Sequence, residues 1–359
     1  MIEVLKSLNL LKCRRIHIDN SIARMHYSIT VIIIVVFFAV ISTKQFVGDP
    51  IVCFKLNPDL SENLLNTYCW VHSTYSVVDV NSFSRERTHG NRFVYAGVHL
   101  RSDGKTIRYH RYYQWVCFVL LLQALMFHAP RWLWKSFEAG KIECLVRDSD
   151  FLSLCNERRH AIVNYLFKTK GMHNWYAVKF FFCETLYALN IVFQFWILNL
   201  LFNRKFWTYG IEVLKAQLGL TESDPMAQLF PKMAKCEFFK SGPSGNAERI
   251  DILCLLSLNV VNEKIFLFLW FWLIFLLGLT LLTLMIHLLL FSCWYLRYLS
   301  VMASIKCNVP RKKISHLVSQ LSFGDWFVLH LFKQNVDPLV YNDIICNLID
   351  TEDKFEHKI

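Results

Sequence analysis

Four long apolar runs divide the chain, with long mixed or polar stretches between them. The first is Tyr27 to Phe46, unbroken in aliphatic and aromatic residues from Val31 to Ile41. Tyr112 to Trp134 is the second. Ala177 to Phe202 is the third, and it carries Glu184, Asn190, Gln194 and Asn199. Ile265 to Leu296 is the fourth and the most apolar. A helix needs ~20 mostly apolar residues to cross a hydrocarbon core of ~30 Å. Each run therefore predicts a membrane span. At ~1.5 Å per residue the fourth outruns the hydrocarbon and is expected to tilt or project into water. The expected organisation is 1–26 ahead of the first span (27–46), a loop 47–111, a span 112–134, a loop 135–176, a span 177–202, a loop 203–264, a span 265–296 and a tail 297–359.

Outside the spans, three segments show helical periodicity. Val4, Leu5, Leu8 and Leu11 share one face of a short amphipathic helix. Such a helix either lies on the membrane surface or folds into a pore. The segment 131–176 and the tail also read as helical, with Pro310 and Pro338 as breaks. Gly48-Asp49-Pro50 and Gly242-Pro243-Ser244-Gly245 mark turns. A cleavable signal peptide fits the first run poorly, because Ala39 and Ile41 do not form a small-x-small pair.

Composition agrees with a membrane protein: 54% of the 359 residues are hydrophobic. The net charge of +11 is spread over every loop without a basic block. Anionic lipid headgroups are the expected counter-charge, and nucleic acid is not an expected partner. Four spans put both termini on one side. Lys and Arg number 21 on that side and 17 in the two loops opposite, too small a bias to orient loops this long. Cysteine is the better guide, because disulfides persist outside the cell and are rare in the cytosol. Cys53 and Cys69 fall in one opposite loop, and Cys236 and Cys254 in the other. Cys13, Cys144, Cys155, Cys307 and Cys346 lie in the remaining segments without a matching pattern. The termini are therefore expected in the cytosol. Four cysteines allow three pairings, within the loops or between them. Neither loop holds an Asn-x-Ser/Thr sequon, which leaves a docking surface unhindered by glycans.

Catalytic and cofactor motifs are missing: there is no His-Glu-x-x-His, Gly-x-Ser-x-Gly, P-loop or dinucleotide fingerprint. No enzyme activity, cofactor or metal is expected. Several features await a role. Tyr112, Tyr113, Gln114, Trp115 and Val116 stand where the second span begins, as an aromatic interface anchor or as something more dedicated. Pro130 leaves the Met126 carbonyl without its usual donor, and either kinks the second span as a gating hinge or ends it. Glu184 in a span needs a partner, and Lys179 is the nearest cation in sequence. His287 reads as a packed histidine more than a pH sensor. Asp49, just past the first span, either tunes ions at a pore mouth or sits idle in an exposed turn.

The pentapeptide Tyr112-Tyr113-Gln114-Trp115-Val116 resembles the signature of the innexins, the gap-junction proteins of invertebrates. Other blocks follow in the family's order. They are Gly48-Asp49-Pro50-Ile51 before Cys53, Thr67-Tyr68-Cys69-Trp70, Pro130-Arg131-Trp132-Leu133-Trp134-Lys135, Phe230-Pro231-Lys232 before Cys236, Asn259-Val260-Val261-Asn262-Glu263-Lys264 and Gly324-Asp325-Trp326-Phe327. The likeness covers roughly 18–348 and is nearest to insect innexins and their viral relatives; 81–108, 150–170 and the short tail match loosely. The resemblance implies an all-α membrane subunit with disulfide-braced extracellular loops and a cytosolic helical domain. It implies the nested pairing Cys53–Cys254 and Cys69–Cys236. It further implies an octameric homo-oligomeric ring around a pore, docked to a hemichannel of the adjacent cell and open to mixing with other innexins. Ions and small metabolites would pass passively. The amino-terminal helix, with Met1, Ile2, Glu3, Val4 and Leu5, would fold into the pore. The competing expectations are a non-docking channel like the pannexins and a four-span adhesion or scaffold protein without a pore.

Overall fold

A backbone in hydrocarbon must satisfy its own hydrogen bonds, so each apolar run folds as a helix. The computed structural model describes residues 16–54, 61–78, 106–146, 156–221, 224–241, 245–305 and 310–356. Helix α1 (Ser21–Phe46) is followed by strand β1 (Val52–Cys53), helix α2 (Glu62–His72) and strands β2 (Thr74–Val78) and β3 (Thr106–His110). A 3-10 turn at Tyr112–Gln114 precedes α3 (Val116–Glu138), then α4 (Lys141–Val146), α5 (Asn156–Lys168) and α6 (Asn174–Leu201). Next come α7 (Tyr209–Gln217), α8 (Pro225–Leu229), the hairpin strands β4 (Met233–Ser241) and β5 (Ala247–Leu255), and α9 (Ser257–Ser292). Helices α10 (Trp294–Met302), α11 (Arg311–Gln320), α12 (Phe323–Asn335) and α13 (Pro338–Glu356) complete it.

Among the described residues four helices, α1, α3, α6 and α9, are long and apolar enough to cross a membrane. Most of their ends do not coincide with the ends of the apolar runs. α1 starts at Ser21 because the Asn20 side chain accepts from the Ala23 amide at 2.7 Å. Its second turn, Met25–Thr30, is wound as a π-helix. α3 runs through Pro130 and on to Glu138. Pro130 therefore does not end the second span, because a single lost donor is tolerated where the flanking turns are intact. α9 begins at Ser257, ahead of the apolar run, and its 36 residues are about 54 Å long. It stops at Ser292, where Cys293 turns extended (φ −111°, ψ 107°), so the stretch to Leu296 is not one helix.

The chain forms two compact units whose boundaries fall inside the four long helices. One comprises 29–127 and 190–277. Among the described residues it holds the only sheet, five antiparallel strands in the order β1-β5-β4-β2-β3. The chain is mostly helical, but this sheet is an addition to the all-α expectation. Beside it Tyr112, Phe202, Phe230 and Phe266 pack edge-to-face or stacked, with centroids 4.8–5.8 Å apart. The other unit comprises 1–28, 128–189 and 278–359. Its core is helix against helix, with Trp134, Tyr176, Phe180, Phe327, Ile344 and Ile345 buried. Gly324 opens α12 against the backbone of His173, where an added Cβ would sit 2.2 Å from the carbonyl carbon. Asp325 completes a capping box with Ser322 and accepts from His173 Nδ1 at 2.9 Å. These hydrogen bonds hold the Asp325 carboxyl below the usual aspartate range although burial pushes the other way.

Candidate functional site

The two loops that carry cysteine pairs fold into one module. Cys53 on β1 faces Cys254 on β5 across the ladder, and the two are bonded with Cα atoms 3.9 Å apart. Cys69 on α2 is bonded to Cys236 on β4, with Cα atoms 5.8 Å apart. Both bonds join one loop to the other. The Sγ atoms of Cys53, Cys69 and Cys254 lie within 4.8 Å of one another, so the two cystines share a single core. That core is small. Ile51, Leu65, Ala234, Phe238, Ile252 and Leu256 surround the four cysteines, with Tyr68 and Trp70 packed against them. Asn66 of α2 accepts from the Cys53 amide at 2.8 Å, and Tyr75 donates to Asp251 at 3.2 Å. His110 is buried and shares a 2.8 Å hydrogen bond with Ser76. Burial, helped by the Arg108 charge, lowers its pKa to about 3.

The pentapeptide ahead of α3 closes this module. Tyr112 and Tyr113 are buried, and Val116 is fully so. Tyr113 packs on Trp70 with centroids 4.6 Å apart. Gln114 Nε2 donates to the carbonyls of Trp70 (2.5 Å) and Val71 (3.3 Å) at the end of α2. Only Trp115, at 60% exposed, has the placement of an interface anchor. The 3-10 turn thus splices the module to the start of a spanning helix, a role that the aromatic composition does not reveal.

Of the other candidates, Asp49 is exposed in the turn after α1, where its carbonyl accepts from Ser257 Oγ at 2.5 Å. Met1 to Leu5 lie outside the described residues. Glu184 does not pair with Lys179, whose ammonium lies over the Phe137 ring. A five-residue step turns a helix by about 140° away from the starting face. Instead Glu184 bonds His287 Nδ1 (2.6 Å) and accepts from Asn20 Nδ2 (2.8 Å). Next to it Arg131 bonds Asp19 at 2.7 Å, Trp134 donates to the Ile18 carbonyl, and Asn335 clasps the backbone of His17 from both sides. The segment 17–20 is therefore pinned through backbone and side chains, by residues far away in sequence. Gln194 and Asn190 bond each other one turn apart inside α6.

The innexin family model matches residues 19–351. The chain belongs to the innexin family. It is 39% identical over 358 residues to Innexin shaking-B of Drosophila melanogaster, covering 97% of this chain and 94% of that protein. Innexin inx2 of Drosophila melanogaster is 38% identical over 346 residues, covering 94% and 92%. Innexin inx2 of Schistocerca americana is 38% identical over 350 residues, covering 94% of each. Innexins are gap-junction channel subunits of the membrane, a family of channels and not of enzymes. This chain has four apolar helices and two cystines among its described residues.

Proposed function

We propose that this innexin assembles as an octameric ring with both termini in the cytosol, and that its cystine module faces outward and seals against the ring of a neighbouring cell. The observation that carries the reading is the pair of bonds Cys53–Cys254 and Cys69–Cys236. Such bonds persist in an oxidising space, and four spans then leave both ends of the chain in the cytosol. A surface that must match its own copy gains affinity from being ordered beforehand. Four helices leave no wide lumen, so several copies must enclose the water path. Ions and small metabolites diffuse through it, and other innexins join the same ring where their contact surfaces match. Asp49 sits near its outer mouth, and Pro130 bends the second span as a hinge.

Single-particle imaging of the solubilised assembly tests this reading. A ring of eight around an open axis is expected; a monomer, or a ring with no hole, contradicts it. Asp49→Lys should shift the reversal potential in an ion gradient, and an unchanged potential removes Asp49 from the mouth.

A further inference from the structure

Spanning helix α9 ends at Ser292, and one extended residue later α10 begins with aromatic residues. Its inner side is accounted for: Val301 is buried and Tyr298 packs on the helical core. Its outer side is not. Trp294, Tyr295 and Leu299 are 47%, 53% and 41% exposed, and Phe291 at the end of α9 is 54% exposed. Two amphipathic rings and a leucine, one residue past a membrane span, have the composition of an interfacial helix.

Arg297 lies on this helix one turn after Cys293. Its Nε is buried without a hydrogen-bond partner, and it makes no ion pair among the described residues. Burial lowers its pKa, and only the Cys293 thiol opposes this. Two basic groups on the helices that follow differ: Lys333 donates to Ser304 and Lys313 pairs with Asp353. A guanidinium presents five donors in a fork that matches phosphate. A half-buried one with no acceptor among the described residues, beside an aromatic face continuous with a span, suits an anion from outside the chain.

We propose that α10 lies in the membrane–water interface and that Arg297 binds the phosphate of an anionic phospholipid there. Trp294 and Tyr295 set the depth of the helix at headgroup level, and Leu299 reaches the acyl boundary. The proposal rests on α9 spanning the membrane and is independent of docking, because it concerns one bilayer.

The test uses the full chain in nanodiscs doped with photoreactive phosphatidylserine or phosphatidylcholine, followed by irradiation, proteolysis and mass mapping. Phosphatidylserine adducts should concentrate on residues 291–302 and exceed those of phosphatidylcholine. Excess inorganic phosphate should leave them unchanged. Arg297→Gln should cut them about fivefold, the worth of one basic residue at an anionic surface, and Arg297→Lys should cut them less. No adducts in 291–302, equal adducts from both lipids, competition by free phosphate, or an unchanged yield in Arg297→Gln each overturn the proposal. So does cross-linking of this face to a second copy of the chain. The wild-type comparison of the two lipids stands even where a variant fails to fold.

Discussion

Replacing Cys69 with serine removes the bond that fastens α2 to β4. Cys69 and Cys236 are both fully buried, so the change also leaves a hydroxyl in an apolar core. Losing a native disulfide costs about 2–5 kcal/mol, and an unsatisfied buried hydroxyl about 1–3 kcal/mol more. The module has only a handful of apolar side chains around its cystines, and a whole domain is stable by about 5–15 kcal/mol. The loss is therefore large enough to release α2, even though Cys53–Cys254 still joins β1 to β5. The Cys236 thiol is also left in the same small core as that remaining disulfide, where thiolate exchange scrambles the pairing. The double variant Cys69→Ser with Cys236→Ser has no such thiol and separates the two effects. Surface labelling and junctional conductance in cell pairs are the assay. Both variants should fall to background conductance per molecule at the surface. Normal conductance at normal surface levels, in either one, would refute the argument that the cystines pre-order the docking face.

Acid should weaken the same module through His110. Its imidazole titrates at about 3 when folded against a usual 6.5, so the unfolded chain binds more protons in that window. Stability is constant above it and falls as pH drops from 6.5 towards 3, by about 2 kcal/mol at about pH 5. His110→Gln should flatten the thermal midpoint against pH, and a curve parallel to wild type contradicts this. Gly324→Ala places a Cβ 2.2 Å from the His173 carbonyl carbon, a backbone atom that cannot swing away. A loss of about 3 kcal/mol is expected, and an unchanged melting curve of the purified protein would count against the packing. Gln114→Ala frees the carbonyls of Trp70 and Val71 and should cost about 1–2 kcal/mol, seen as faster proteolysis after α2; an unaltered cleavage rate speaks against the splice.

Hydropathy marks the four spans because a helix in lipid must be mostly apolar across the hydrocarbon. The ends are set by chemistry that hydropathy does not weigh, such as the Asn20 cap of α1 and the polar first turns of α9. The sheet has a legible trace in Ala234-Lys235-Cys236-Glu237-Phe238, where apolar residues alternate and Ala234, Cys236 and Phe238 are buried. Helical periodicity dominates the rest of the chain and masks it. The cystine pairing follows from family resemblance, since spacing alone leaves three choices open. The partner of Glu184 is hidden for a simpler reason: His287 lies 103 residues away. Local spacing offers only Lys179, on the wrong side of the helix. The same distance hides the clasp of His17 by Asn335, 318 residues apart.

Recording from paired cells addresses docking itself. With the chain expressed in both cells, current should pass from one interior to the other. With expression in one cell alone, that current should vanish while the surface protein remains. Pairs that express the protein on both sides yet stay uncoupled, while single cells carry its current, would contradict the docked rim and leave a channel of one membrane.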